Sequence, residues 1–183
     1  YEWGGAPRTV VAVRDGGVSD TAGVSVTVNG QHGEVIETRP CATSAPWVLG
    51  GDDGNLWMSD WNTKRVYRLD PTTCDTLESF PPPNGWPSGV AYDGISLWVS
   101  DWMNGTVVFE VDPVTWDTLG HFPVVYSALP GGLAFDGEYL YHGSHIYPPP
   151  DSDGRTGDAD GRIHKYMRDG TEVASFESPR GHG

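Results

Sequence analysis

Short hydrophobic stretches with alternating polar positions recur along the chain at a regular spacing. Leu97-Trp98-Val99-Ser100-Asp101-Trp102 is nearly identical to Leu56-Trp57-Met58-Ser59-Asp60-Trp61, and a degenerate third copy runs from Leu140 to His145. Successive copies lie about 40 residues apart, which indicates an array built from one supersecondary unit.

Each unit predicts four short antiparallel strands. Turn-forming pairs such as Asp93-Gly94 and Asp112-Pro113 separate the hydrophobic runs, because glycine accepts a positive φ and proline fixes φ in a turn. Four short strands in about 40 residues are typical of a β-propeller blade. In the best-preserved unit the predicted strands are 89–92, 96–101, 106–111 and 117–122.

The repeats divide the chain into two parts. Residues 45–183 hold three units, the last with an insertion at 147–161, and residues 1–44 form a divergent β unit. Its predicted strands are Thr9–Val13, Val24–Val28 and Glu34–Thr38. We interpret this unit as a first blade, with a small separate β unit as the alternative. The predicted fold class is all-β, with about four propeller-type blades of four antiparallel strands, closed within the chain or completed by another chain.

Unfinished arrays of repeats expose unpaired faces and edges. If the ring is not closed within one chain, a second copy completes it, or successive chains stack into a fibre. We therefore expect a homo-oligomer or a filament.

The repeat also resembles a known class of proteins. The residues that carry the likeness are Leu97-Trp98-Val99-Ser100-Asp101, Val108 to Pro113 and Pro130 to Gly137. They are similar to the repeats of secreted bacterial and archaeal β-propellers: the NHL- and YVTN-type repeats, the glutamine cyclotransferase-like proteins and the streptogramin lyase group. The resemblance covers Trp47 to Pro179 and implies the fold, whereas activity varies within the class. The chain has fewer blades than those groups usually have, which puts a complete active-site funnel in doubt.

Composition narrows the function. A formal net charge of −14 argues against binding to nucleic acid, which requires clustered Lys and Arg. No apolar run is long enough to predict a membrane span. Eight Trp, eight Tyr, 25 Gly and 15 Pro are typical of strands joined by tight turns.

Aspartate and tryptophan recur where the second strand of each unit ends. Asp60 and Asp101 either form a ligand-binding or cation-binding face together with His145, Trp61 and Trp102, or they accept hydrogen bonds from the backbone of their own turns. The repetition favours the structural role for the aspartates. Exposed indoles on such a face would suit a sugar ring. Trp57 and Trp98 alternate with the aliphatic positions and are predicted to pack between blades.

The insertion at 147–161 is acidic and rich in glycine. Alternating aspartates place several oxygen ligands on one tight loop, as Ca²⁺ requires, and a solvated acidic loop is the alternative. The candidate ligands are Asp151, Asp153, Asp158 and Asp160.

Two further features concern covalent chemistry. Cys41 and Cys74 are the two cysteines of the chain and a candidate disulfide, within one chain or between chains. In a regular propeller their connections lie on opposite faces, which disfavours an intrachain bridge, unless the N-terminal unit is not a regular blade. Asn104 begins an N-glycosylation triplet.

Together these observations predict an extracellular or cell-surface repeat protein with a binding or structural role. We expect it to self-associate and to have carbohydrate or another surface protein as a partner. A propeller enzyme resembling the cyclotransferases or lyases is the alternative. No phosphate-binding loop or serine-hydrolase elbow occurs in the sequence.

Overall fold

The structure is a computed structural model that describes residues 45–51, 54–102, 106–124, 129–146 and 160–177, together with four two-residue strands nearer the N-terminus. These short strands are β1 (Thr9–Val10), β2 (Ala22–Gly23), β3 (Val26–Thr27) and β4 (Pro40–Cys41). The described residues contain strands and turns but no α-helix.

Three four-stranded antiparallel sheets follow, and we call them blades 1, 2 and 3, a numbering that leaves out the N-terminal unit. In each blade the strands pair in chain order, as a meander. Blade 1 comprises β5 (Pro46–Gly51), β6 (Leu56–Asp60), β7 (Arg65–Leu69) and β8 (Thr76–Phe80). Blade 2 comprises β9 (Pro87–Tyr92), β10 (Leu97–Asp101), β11 (Val107–Val111) and β12 (Thr118–Pro123). Blade 3 comprises β13 (Leu129–Phe135), β14 (Leu140–Ile146), β15 (Asp160–Tyr166) and β16 (Glu172–Glu177). The predicted all-β fold class with four-stranded blades is confirmed.

The four N-terminal strands pair differently. β1 pairs with β3, and β2 pairs with β4, so neighbours in the sheets are not neighbours in the chain. β1 and β3 lie within two of the predicted strands, whereas the third, Glu34–Thr38, lies outside the described residues. In the described residues, this unit does not repeat the meander of the blades.

Three turns share one conformation that the sequence encodes through an aspartate. The amide of the residue four places after the aspartate donates to the aspartate carbonyl, and that residue has a positive φ: Lys64 with Asp60, Cys74 with Asp70, and Trp116 with Asp112. The carboxylate caps the turn from inside. Asp112 accepts from the amides of Thr115 and Val114 at 2.9 and 2.7 Å, and these bonds lower its pKa.

The blades are held together by two apolar cores, each between neighbouring sheets. The first joins blades 1 and 2, and its buried members are Trp57, Val66, Phe80, Val90, Leu97, Val99, Phe109 and Val111. The second joins blades 2 and 3, and its buried members are Ala91, Trp98, Val108, Phe122, Val124, Leu133, Leu140 and Tyr166. Trp57 and Trp98 thus lie between blades, as the alternation predicts.

The first strands of the blades approach one another closely. A methyl group on Gly50 would lie 2.6 Å from the carbonyl oxygen of Val90, and one on Gly89 would lie 2.7 Å from the amide nitrogen of Leu133. Ser59 adds a polar link, because its hydroxyl donates to the carbonyl of Ser88 in the next blade at 2.9 Å. The glycines are therefore required by packing, since any side chain would push the blades apart.

A third buried cluster covers the other face of blade 1. It consists of Leu56, Met58, Tyr67, Leu69 and Cys74. Cys74 is disulfide-bonded, and Cys41 is the only other cysteine in the sequence. The geometric objection to a bridge within the chain applies only to a regular N-terminal blade, and the pairing of β2 with β4 departs from that pattern.

Candidate functional site

Four tryptophans meet at the end of blades 1 and 2 where β6 and β10 finish. The ring centroid of Trp61 lies 5.5 Å from that of Trp47, 4.9 Å from that of Trp86 and 5.4 Å from that of Trp102. Trp86 and Trp102 are 6.2 Å apart and nearly perpendicular. We call these four residues the tryptophan face.

Trp47 is the most accessible member of the face, with 56% of its surface exposed. The pairing of β5 with β6 shifts register between Pro46 and Val48, so Trp47 is the extra residue of a β-bulge. A bulge re-aims the side chain it carries. The other three indoles are half-buried, which leaves part of each ring in contact with solvent.

Two buried aspartates hold the backbone beneath these rings. Asp60 accepts from the amide of Ala45 at 3.0 Å, and Asp101 accepts from the amide of Trp86 at 2.9 Å. Asp60 also accepts from the amide of Thr63 at 2.7 Å. Each carboxylate therefore ties the end of a second strand to the entrance of its blade. Of these three amides only that of Thr63 belongs to the aspartate's own turn, as predicted; those of Ala45 and Trp86 precede the first strands. Neither carboxylate is exposed to solvent.

Lys64 brings a positive charge to the tryptophan face. Its Nζ lies 4.0 Å from the ring centroid of Trp86, which is a cation–π contact. Lys64 is the residue that closes the turn begun by Asp60, with φ of 57°. The turn therefore fixes the backbone position of Lys64 beside Trp86. Its ammonium group is a positive charge in a chain whose net charge is −14.

The structure brings together some of the residues singled out from the sequence. Trp61 and Trp102 are in contact, and Asp60 and Asp101 lie in the strands that precede them. Of His145 only the backbone is described, paired with Leu129 and Gly161. Asp160 is likewise described only as the first residue of β15. The remaining candidates lie outside the described residues: Asp151, Asp153, Asp158 and Asn104. Among the residues that the structure describes, no three His, Cys, Asp or Glu side chains lie together so that they could hold a metal.

Sequence reasoning missed Trp47, Trp86 and Lys64 because these residue types are not repeated at the equivalent positions of the neighbouring unit. Trp86 occupies the position of Ala45 in blade 1, since each donates its amide to the corresponding aspartate. Trp47 occupies the position of Ser88 in blade 2. Each follows a proline, and that proline is paired with the aspartate that ends the second strand of the same blade. Tryptophan at positions where the neighbouring unit has Ala or Ser was the available signal.

A second polar group lies on the face of blade 3 that meets blade 2. Ser144 Oγ is 3.1 Å from His164 Nε2, and His164 Nδ1 is 3.3 Å from a carboxylate oxygen of Glu172. His142 lies opposite His164 in the sheet, and neither of its ring nitrogens has a hydrogen-bond partner among the described residues. Burial first, and the neighbouring His164 second, lower the pKa of His142 to about 4. Ser144, His142 and His164 are all buried.

Comparison with known proteins identifies the architecture. The chain matches no protein-family model and no curated protein in sequence. Its fold is similar to that of glutaminyl cyclase from Myxococcus xanthus, with a TM-score of 0.63 and 14% identity over 86% of this chain and 62% of that one. It is also similar to virginiamycin B lyase from Staphylococcus aureus (TM-score 0.53, 18% identity, 88% of this chain and 50% of that one) and to BamB from Moraxella catarrhalis (TM-score 0.51, 15% identity, 92% and 50%). This chain is a β-propeller-type repeat protein.

The β-propeller likeness concerns the fold alone. The similar structures include a cyclase and a lyase, and the chain spans about half to three fifths of the length of the three. No helix long and apolar enough to cross a membrane occurs in the part of the chain that the structure describes.

Proposed function

We propose that this β-propeller protein is a binding module whose tryptophan face holds carbohydrate. The observation that carries the proposal is the row Trp47–Trp61–Trp102, in which neighbouring rings are 5.5 and 5.4 Å apart and tilted by only 36° and 31°. These rings remain partly exposed, Trp47 most of all, so they offer apolar area on which the apolar face of a sugar ring stacks. Lys64 adds a hydrogen-bond donor at the edge of that surface.

Packing alone does not account for this cluster. Trp57 and Trp98 already fill the spaces between blades and are buried, whereas the four residues of the tryptophan face remain in contact with solvent. Apolar surface of an exposed indole is unfavourable in water, and a ligand stacked on the ring removes that surface from water.

Titration of the intrinsic fluorescence with soluble oligosaccharides of several linkages tests the proposal. We expect quenching or a blue shift on binding, and weakening by about tenfold in Trp47→Ala, which corresponds to ~1.4 kcal/mol. Ile95→Ala is the control, because Ile95 is also an exposed apolar residue but lies outside the tryptophan face. Equal affinity of Trp47→Ala and the unsubstituted protein for every sugar that binds would refute the role of this face, as would failure of all the sugars to bind.

The enzyme alternative rests on the Ser144–His164–Glu172 arrangement, which resembles a nucleophile, a base and a group that orients the base. A substrate must reach the serine, and Ser144 and His164 are buried against blade 2. The geometry of the described residues therefore favours binding over catalysis.

The disulfide at Cys74 supports an extracellular or cell-surface location, because disulfides persist in oxidising compartments. The acidic surface is consistent with that location. Protein isolated from its native source under thiol-blocking conditions should therefore carry no alkylated cysteine. Recovery of both thiols in the alkylated form would contradict the assignment.

A further inference from the structure

The segments that carry the tryptophan face present no carboxylate to solvent. These segments are residues 45–47, 60–64, 84–88 and 101–102. Their two acidic residues, Asp60 and Asp101, are both 0% exposed, and their carboxylates accept from backbone amides beneath the rings. Lys64 is exposed and is the only cation in the same segments. The charge that these segments present to solvent is therefore positive.

The opposite end of blades 1 and 2 is acidic. The turn between the third and fourth strands carries Asp70 and Asp75 in blade 1, and Asp112 and Asp117 in blade 2. None of these four residues is buried. In an antiparallel meander this turn lies at the other end of the sheet from the turn between the second and third strands, which carries Lys64. An anion that approaches the tryptophan face therefore meets the less acidic end of these two blades.

Lys64 also differs from the arginines of the blades that are paired with acids. Arg68 pairs with Glu78, Arg162 with Glu177 and Arg168 with Asp93. Lys64 makes no ion pair with any residue that the structure describes. Its Nζ lies 4.0 Å from the ring centroid of Trp86, a contact that positions the ammonium group without using its N–H donors. Those donors are available to an acceptor on a ligand.

Two buried carboxylates keep the ammonium group in place before a ligand arrives. Asp101 accepts from the amide of Trp86 at 2.9 Å, which fixes the backbone of the residue whose ring carries Nζ. Asp60 begins the turn that Lys64 closes. A cation that is already held in its binding position loses less conformational entropy when it pairs with an anion.

We propose that the carbohydrate bound by the tryptophan face is acidic, and that its carboxylate or sulfate group pairs with Lys64. This inference rests on the proposed function and names the class of sugar. The indoles stack on the sugar ring, whereas Lys64 distinguishes a charged sugar from a neutral one. Because the ion pair forms at the protein surface, the acidic sugar should bind about three- to fivefold more tightly than its neutral counterpart.

Matched pairs of oligosaccharides that differ only in charge test the proposal. Oligogalacturonides and their methyl esters test the carboxylate, and sulfated galactan oligosaccharides and their desulfated forms test the sulfate. Tryptophan fluorescence measures each affinity in the presence of EDTA, so that calcium does not bridge an acidic sugar to carboxylates of the protein. We expect the acidic member of at least one pair to bind more tightly in about 0.1 M sodium chloride. The preference should disappear in about 1 M salt, because the Debye length shortens from about 10 Å to about 3 Å.

Substitutions of Lys64 assign the preference to its charge. In Lys64→Gln the ratio of the acidic to the neutral affinity should fall close to one, whereas Lys64→Arg should retain it. Lys165→Gln is the matched control, because Lys165 also lies over an aromatic ring, with Nζ 3.6 Å from the ring centroid of Tyr139, but belongs to β15 of blade 3. It removes the same charge and should leave the ratio unchanged.

The outcomes separate this inference from the proposed function. Equal affinity for the two members of every pair would overturn the inference and leave the tryptophan face as a site for neutral sugars, as would binding of neutral sugars alone. A preference that survives in Lys64→Gln, or that Lys165→Gln reduces equally, would also overturn it. Failure of every sugar to bind, acidic or neutral, would refute the proposed function itself and this inference with it.

Discussion

Replacing His142 by methionine is predicted to remove an acid sensitivity that is built into blade 3. The equivalent residues of blades 1 and 2 are Met58 and Val99, both fully buried, whereas the two ring nitrogens of His142 have no hydrogen-bond partner in the part of the chain that the structure describes. The pKa of His142 is about 4, against 6.5 for the free side chain. The folded state therefore binds the proton less readily than the unfolded chain does.

The sign and size of the effect follow from this difference in pKa. A group whose pKa is lowered by folding contributes its full stability above its unfolded pKa of 6.5, and that contribution falls away as the pH drops towards 4. The difference of 2.5 units between these values amounts to about 3 kcal/mol at 1.36 kcal/mol per unit. Between about pH 8 and about pH 4, the free energy of unfolding of His142→Met should thus fall by about 3 kcal/mol less than that of the unsubstituted protein. At the higher pH it should be as stable or more stable, because an unsatisfied buried polar group has been removed.

Urea unfolding at both pH values, followed by tryptophan fluorescence, measures these free energies. Other groups titrate in the same range, so the quantity that matters is the difference between variant and parent, in which shared terms cancel. His121→Gln is the control for the loss of one histidine, because His121 is exposed on β12 rather than buried between blades. If His142→Met retains the same loss of stability on acidification as the parent, the buried neutral histidine is not its source.

Two further predictions concern close packing and the acidic insertion. Gly89→Ala should destabilise the fold by about 2 kcal/mol or more, because its methyl group would meet the backbone of Leu133. Gly132→Ala, where the added carbon has no atom within 4 Å, should be nearly neutral in thermal unfolding. Equal effects of the two substitutions would contradict the close approach of the first strands. We propose that residues 147–161 bind Ca²⁺. Millimolar calcium should then raise the melting temperature, and EDTA should reverse the rise. Identical melting curves with and without calcium would contradict the proposal.

Much of the blade architecture could be predicted from the sequence because each strand is marked locally. The predicted run from Leu56 to Asp60 coincides with β6, and turn residues such as Asp112-Pro113 separate strands through backbone geometry that they themselves determine. The alternation that places Trp57 and Trp98 between blades is a property of strand pleating. Strand identity and side-chain direction are therefore written in a few adjacent residues.

The tryptophan face was less predictable because it depends on contacts between units. Trp61 and Trp102 were candidates as members of the repeat, but Trp86 joins them only because an aspartate of β10 binds its amide. Trp47 reaches the same place through a bulge in β5, and hydrophobic alternation carries no information about an inserted residue. Phe176 holds the place in blade 3 that Phe80 and Phe122 hold in blades 1 and 2, where a following blade covers them.

That dependence on a following blade has a consequence during synthesis. Val66 and Phe80 are covered by blade 2, and Val108 and Phe122 by blade 3. A chain leaving the ribosome therefore exposes the apolar face of its most recently formed blade at each stage. That face is covered only when the next blade, some 40 further residues, has emerged. Slowing translation between blades would lengthen each such interval, and aggregation of nascent chains should then increase even though the finished molecule is unchanged.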